Sequence, residues 1–165
     1  MLIKVKWVSM VPVSLLMKRI NQVLQQFNGL IDLSDVKAKG TQLQTQFLSR
    51  ALAAYAIFDL AGVSLGEAAK SVVDGFDDNG IDAIFYDDHN GVLWVVQSKW
   101  ISAGAKAPDL GDVKKFTDGV RDLVDCDFSR FNKKLRSRSK EINVALLKAE
   151  TRVGVVLCYT GGETS

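Results

Sequence analysis

Residues 80–100 read "GIDAIFYDDHNGVLWVVQSKW", and their pattern decides the fold. Two runs rich in Ile, Phe, Tyr, Val and Trp flank "HNG", and Asn-Gly suits the positive φ angles of a tight type I′ turn, so a β-hairpin is predicted. With Asn90 and Gly91 at the centre of the turn, His89 pairs with Val92 and Asp82 faces Lys99. With His89 and Asn90 at the centre, Asp82 faces Gln97 instead. Side chains alternate with period two, so both registers put Asp82, Gln97 and Lys99 on one face. A three-residue loop without a bulge would pair Asp82 with Ser98 and part the three groups.

The neighbours Ile81, Ala83, Ile84, Leu93, Val95 and Val96 imply that both faces of this hairpin are largely covered. Charged groups converging there carry a desolvation cost unless something pairs with them. Two readings follow. Asp82 and Lys99 could form a cross-strand salt bridge, a common arrangement that contributes little. Alternatively, a divalent cation binds oxygens of Asp82 and of Gln97 or a backbone carbonyl, while Lys99 stays protonated and faces a phosphate or the attacking water. Hard oxygen ligands and open water positions suit Mg²⁺. Spacing alone leaves the two readings level.

Upstream, Leu15, Leu16, Ile20, Val23, Leu24 and Phe27 fall at helical spacing, predicting an amphipathic helix over residues 14–28. "NGLIDLSDVKAKG" supplies turn residues and a linker. "QLQTQFLSRALAAYAIFDL" (42–60) is apolar around most of its circumference and predicts a buried helix ended by Gly62. Ser64 and Glu67 have capping-box spacing and open a short helix. Downstream come a small-residue loop at 102–111, a helix in "DVKKFTDGVRDLV" and a longer basic helix in "FSRFNKKLRSRSKEINVALLKA". "TRVGVVLCYT" then predicts a strand buried on both faces. The expected fold is α/β, a small mixed β-sheet flanked by helices.

The chain has 165 residues, room for one domain but not for two comfortable cores. An N-terminal helical extension (1–40) and a core (41–165), the first domain of something longer, are the expected organisation. A net charge of +2 announces no polyanion partner, so a nucleic-acid argument must rest on where the charges sit. Cys126 and Cys158 lack CxxC spacing and, with a single histidine, point away from zinc and towards free thiols in a reducing compartment. The apolar N-terminal run is broken by Ser9 and Pro12 and lacks a small-x-small cleavage site. A soluble cytoplasmic protein without a membrane partner is therefore expected.

The hairpin resembles the active-site hairpin of the PD-(D/E)xK nuclease superfamily in its D…QxK variant, typical of Mrr-type restriction endonucleases. The wider stretch "VVDGFDDNGIDAIFYDD…LWVVQSKW", after an apolar helix, is similar to the N-terminal domain of the abortive phage-infection resistance family. The motif covers residues 74–100, and the order of elements covers about 42–165. The resemblance implies a restriction-endonuclease-like fold and Mg²⁺-dependent hydrolysis of phosphodiester bonds, with Mn²⁺ as a substitute. It implies Asp82 as metal ligand, Gln97 in the place of a second carboxylate and Lys99 as the catalytic lysine. Many relatives add an acid on the first core helix; "TQLQTQFLSR" offers Gln42, Gln44 and Gln46 instead, and Asp78 or Asp77 is the candidate substitute. Asp74 either shapes the loop or assists the site.

Arg130, Lys133, Lys134, Arg136, Arg138 and Lys140 crowd into eleven residues. They read either as a solvated helix face or as phosphate contacts, with Lys133, Lys134, Arg136 and Arg138 as the nucleic-acid-binding candidates. His89 is expected at the hairpin tip, with Asp87 and Asp88 solvated beside it, and Trp94 and Trp100 as core anchors. The functional expectation is a metal-dependent endonuclease acting on DNA rather than RNA, in phage defence or restriction, with a homodimer one possible state. The alternatives are an inactive module of the same fold that binds nucleic acid or protein, and an interaction domain in which Asp82 and Lys99 form a structural pair.

Overall fold

The computed structural model describes residues 12–101 and 107–161. The N-terminal run at 1–11 and part of the small-residue loop, at 102–106, lie outside the described residues. Helix α1 (Val13–Leu24) runs into a 3₁₀ turn at Gln25–Phe27, and the long α2 spans Thr41–Ala61. Its alanines Ala51, Ala53, Ala54 and Ala56 are all buried, which lets the helix backbone lie close to its neighbours. Gly62, at φ 63°, closes α2 in the left-handed conformation. Ser64 and Glu67 form the expected capping box at the start of α3 (Leu65–Lys70).

Strands β1 (Ala83–Asp87) and β2 (Val92–Lys99) form the hairpin, antiparallel, and β3 (Arg152–Tyr159) lies parallel to β2 on its other side. The sheet is therefore small and mixed, in the order β1-β2-β3. Alternate residues face two separate cores. Ala83, Val96, Trp94, Trp100 and Cys158 pack towards α2. Ile84, Leu93, Val95, Val153 and Leu157 pack with Phe116 and Leu123 of α4 (Leu110–Val124) and with Leu135 and Ile142 of α5 (Lys133–Arg136) and α6 (Ser139–Leu147). Trp94 and Trp100 are core anchors, as expected. Gly154 is needed opposite Trp94, because a Cβ there would lie 2.4 Å from the indole ring. No helix among the described residues is long and apolar enough to cross a membrane.

The structure corrects the sequence reading at five places. The basic stretch is not one helix: Phe131 turns inward, buried and extended, and Asn132 caps α5 through its side chain, so the segment breaks into a 3₁₀ turn and two short helices. β3 is not buried on both faces but is an edge strand, with Val155 54% exposed; an apolar run alone does not say where in a sheet a strand lies. The hairpin does not use a type I′ turn, since only Gly91 has positive φ between Asp88 and Gly91. Asp87 is buried rather than solvated, and its carboxylate accepts from the backbone and side-chain nitrogens of Asn90. "NGLIDLSDVKAKG" is irregular but anchored rather than a free linker, with Ile31 buried and Asp35 paired to Arg50.

Candidate functional site

The hairpin pairs Asp87 with Val92 and Ala83 with Val96, so continuing the register sets Asp82 opposite Gln97. This is the register with His89 and Asn90 central. Asp82 lies one residue before β1, where its backbone N–H donates to Val96 O at 2.8 Å and its carbonyl accepts from Val73 N and Asp74 N at 2.8 and 3.0 Å. Residues 72–74 therefore run beside the strand, and backbone pairing alone brings Asp74 next to Asp82.

Asp78 arrives by a tighter route. Asp77, Asn79 and Gly80 all have positive φ, and Asp78 Oδ1 accepts from Gly80 N at 2.8 Å, curling the loop. Helix α4 pins that loop. A Cβ on Gly80 would come within 2.8 Å of the Phe116 backbone, and one on Gly119 within 2.0 Å of Asn79 O. Only glycines allow so close an approach.

One ligand atom from each of Asp74, Asp78 and Asp82 lies within 4.8 Å of the others, and this triad could hold a metal ion. Each carboxylate has one oxygen tied to the protein: Asp74 Oδ2 to Arg50, Asp78 Oδ1 to Gly80 and Lys115, and Asp82 Oδ2 to Ser98. Among the described residues no donor reaches the second oxygen of any of the three. The cleft they line has a volume of about 310 Å³ and also contains Gln46, Gln97, Lys99 and Asp112.

Burial, then the charge of Asp74, pushes the Asp82 carboxyl up to about 8; the Ser98 backbone N–H pulls against this, Asp78 adds to it, and the Ser98 hydroxyl opposes it. Arg50, 2% exposed, donates to Asp74, to both oxygens of Asp35 and to the Asp32 carbonyl, so it anchors Asp74 to α2 and the preceding segment. Gln97 Nε2 donates to the Asp112 carbonyl at 3.3 Å, which fixes the amide's orientation. Its Oε1 is buried and has no partner. A buried acceptor is ordinarily satisfied, and beside carboxylates a cation could satisfy this one.

The predicted residues Asp82, Asp78, Gln97 and Lys99 thus meet in one cleft. Lys99, half exposed, does not point its ammonium at a triad oxygen: Nζ sits on Asp112 Oδ2 at 2.6 Å. Asp77 stays exposed and outside the triad. Asp74 both shapes its loop and joins the triad. Gln46, with Thr45 and Ser49, is what α2 contributes to the cleft. His89 is exposed at the hairpin tip.

The basic candidates lie off the cleft lining. Lys134 pairs with Asp32 and Asp35, and Arg138 with Glu141 and the Ile84 carbonyl. Lys133 and Arg136 are exposed and without an ion pair among the described residues. Sequence reasoning missed Arg50, Asp112 and Lys115. Asp112 and Lys115 stand three apart on α4, a spacing that shares a helix face, but nothing in the sequence says which way that face turns.

No family model, curated protein or solved structure matches this chain.

Proposed function

We propose that this chain is a Mg²⁺-dependent nuclease domain with a restriction-endonuclease-like core, acting on DNA in phage defence or restriction. The observation that carries the reading is the buried, unpartnered Gln97 Oε1 lining the same cleft as three carboxylates, each with an oxygen to spare. Asp74, Asp78, Asp82 and Gln97 would hold the ion. Bound there, a divalent cation supplies positive charge to offset what builds on a phosphodiester under attack by water.

The chain's own residues supply the rest. Lys99 at the rim offers an ammonium to a phosphate oxygen, and Lys115, bound to Asp78, adds a second positive charge nearby. Arg50 holds Asp74 in place, and Ser98 orients Asp82 by gripping one oxygen. Asp74, delivered by backbone pairing beside β1, takes the place of the acid that relatives carry on the first core helix. The DNA preference rests on the hairpin's resemblance, the Mg²⁺ identity on that resemblance and on the hard oxygen ligands, and the cytoplasmic setting on the unpaired cysteines and the broken N-terminal apolar run.

A second reading draws on the Lys99–Asp112 pair. If Lys99 never leaves Asp112, the cleft binds an ion and nucleic acid without turning over. The deciding experiment is cleavage of plasmid, linear and single-stranded DNA and of RNA in Mg²⁺, Mn²⁺ or EDTA. Wild type is compared with Asp82→Ala and Lys99→Ala. Metal-dependent cutting lost in both variants establishes the nuclease; binding without cutting favours the second reading; neither binding nor cutting removes both.

A further inference from the structure

Asp112, in the first turn of α4, touches both β2 residues of the D…QxK motif, Gln97 and Lys99. Its carboxylate binds Lys99 Nζ at 2.6 Å, and its carbonyl accepts from Gln97 Nε2 at 3.3 Å. Its side chain is not the cap of its own helix, a role filled by Asp109, whose side chain accepts from Asp112 N. The carboxylate therefore makes no hydrogen bond within its own helix among the described residues. Its only partner among the described residues is the lysine, at the mouth of an acidic cleft.

A carboxylate held by a lysine beside a cation-binding triad is chemically an internal copy of a phosphate oxygen in the same place. Both are anionic oxygen acceptors for one ammonium. The pair is partly exposed, with Lys99 at 48% and Asp112 at 33%, so an incoming anion can reach it without unfolding anything. Such a pair is weak enough to exchange.

We propose that Asp112 is a positioning residue that stands in for the substrate phosphate, holding Lys99 aimed at the cleft mouth and releasing it to a phosphodiester oxygen on binding. This rests on the nuclease reading above and adds to it a competitor built into the chain. The Gln97 contact is made by the Asp112 backbone, so exchanging the side chain leaves that amide held.

The test measures binding of a fluorescent DNA oligonucleotide in Ca²⁺, with wild type, Asp112→Asn, Lys99→Met and the double variant. Asp112→Asn is expected to tighten binding about two- to fivefold, the size of an exposed charge pair. In the Lys99→Met background the same change is expected to do nothing, because no lysine is left to free. Asp112→Glu, which keeps the charge, should bind as wild type does. Equal tightening with and without Lys99 would mean general charge repulsion and overturn the proposal, as would no tightening at all.

Reductive methylation of Lys99, followed by mass spectrometry, separates this outcome from failure of the nuclease reading. Methylation that is faster in Asp112→Asn and suppressed by the oligonucleotide or by inorganic phosphate supports the exchange. Faster methylation that neither anion suppresses makes the pair an ordinary salt bridge and sinks the proposal. The metal site is judged independently, by Mn²⁺ binding to wild type and Asp82→Ala.

Discussion

Ser98 donates both its backbone N–H and its hydroxyl to one oxygen of Asp82, at 2.6 and 3.1 Å, while Asp74 and Asp78 close around the same carboxyl. Asp82 is thus oriented by neutral donors, and within the triad it alone has no cation on it among the described residues; Arg50 reaches Asp74 and Lys115 reaches Asp78.

A pH dependence follows from that imbalance. The Asp82 carboxyl ionises near 3.8 in the unfolded chain and is pushed up to about 8 in the folded one, by burial first and the neighbouring acids second. Between those values the unfolded state has lost a proton that the folded state keeps. Stability of the metal-free protein therefore falls as pH rises from about 4 to about 8 and levels off above. Melting curves in EDTA should show this slope in wild type and a shallower one in Asp82→Asn. A cation must displace the same proton, so Mn²⁺ titrations at pH 6.5 in buffers of different ionisation enthalpy should report proton release, absent in Asp82→Asn.

Arg50 is the most deeply buried cation described, and it ties Asp35 and Asp74 together. Arg50→Met keeps the volume and strands both carboxylates. The expected loss is about 2–3 kcal/mol, below the ~3–5 of a fully buried pair because Asp35 is over a third exposed. Urea unfolding measures it. An unchanged midpoint would mean that the two acids find water at no cost.

Gly119 acts on the triad from the α4 side. A methyl group there meets Asn79 O at 2.0 Å, so Gly119→Ala must push the 77–80 loop away from α4 and carry Asp78 with it. Overpacking of this kind costs roughly 1–3 kcal/mol. Weaker Mn²⁺ binding should accompany the lost stability, although Gly119 does not line the cleft. Wild-type affinity in this variant would remove Asp78 from the ligand set.

Lys133 and Arg136 test the nucleic-acid contribution of the basic segment, since Lys134 and Arg138 are engaged in holding the fold. If Lys133 and Arg136 contact phosphates, Lys133→Ala/Arg136→Ala should weaken DNA binding uniformly across sequences and reduce the slope of log K against log salt by about 2. An unchanged slope assigns them to a solvated surface.

Much of this protein is decided by local rules that the sequence carries in full. The Ala-rich run makes α2, Gly62 ends it, Ser64 and Glu67 cap the next helix, and alternation in 81–99 makes the hairpin with Asp82, Gln97 and Lys99 together. Each of these depends on side-chain period or on hydrogen bonds a few residues long. Even here alternation permits two registers, and the turn selects one of them, with Asp87 capturing Asn90 in place of an Asn-Gly turn.

What only the tertiary structure decided is everything joined across the fold. Asp74 enters the triad because residues 72–74 pair with the start of β1, and Asp78 because Gly80 and Gly119 let α4 press on its loop. Asp112 and Lys115 reach the cleft because α4 packs on the odd-numbered face of β2 through Phe116 and Leu123. The basic run broke where Phe131 was drawn into that core. The placement of β3 at the sheet edge was equally hidden. Burial and ion pairing belong to the packed chain, and they depend on which surfaces meet; a one-dimensional pattern fixes which face of an element is apolar, not what that face will find.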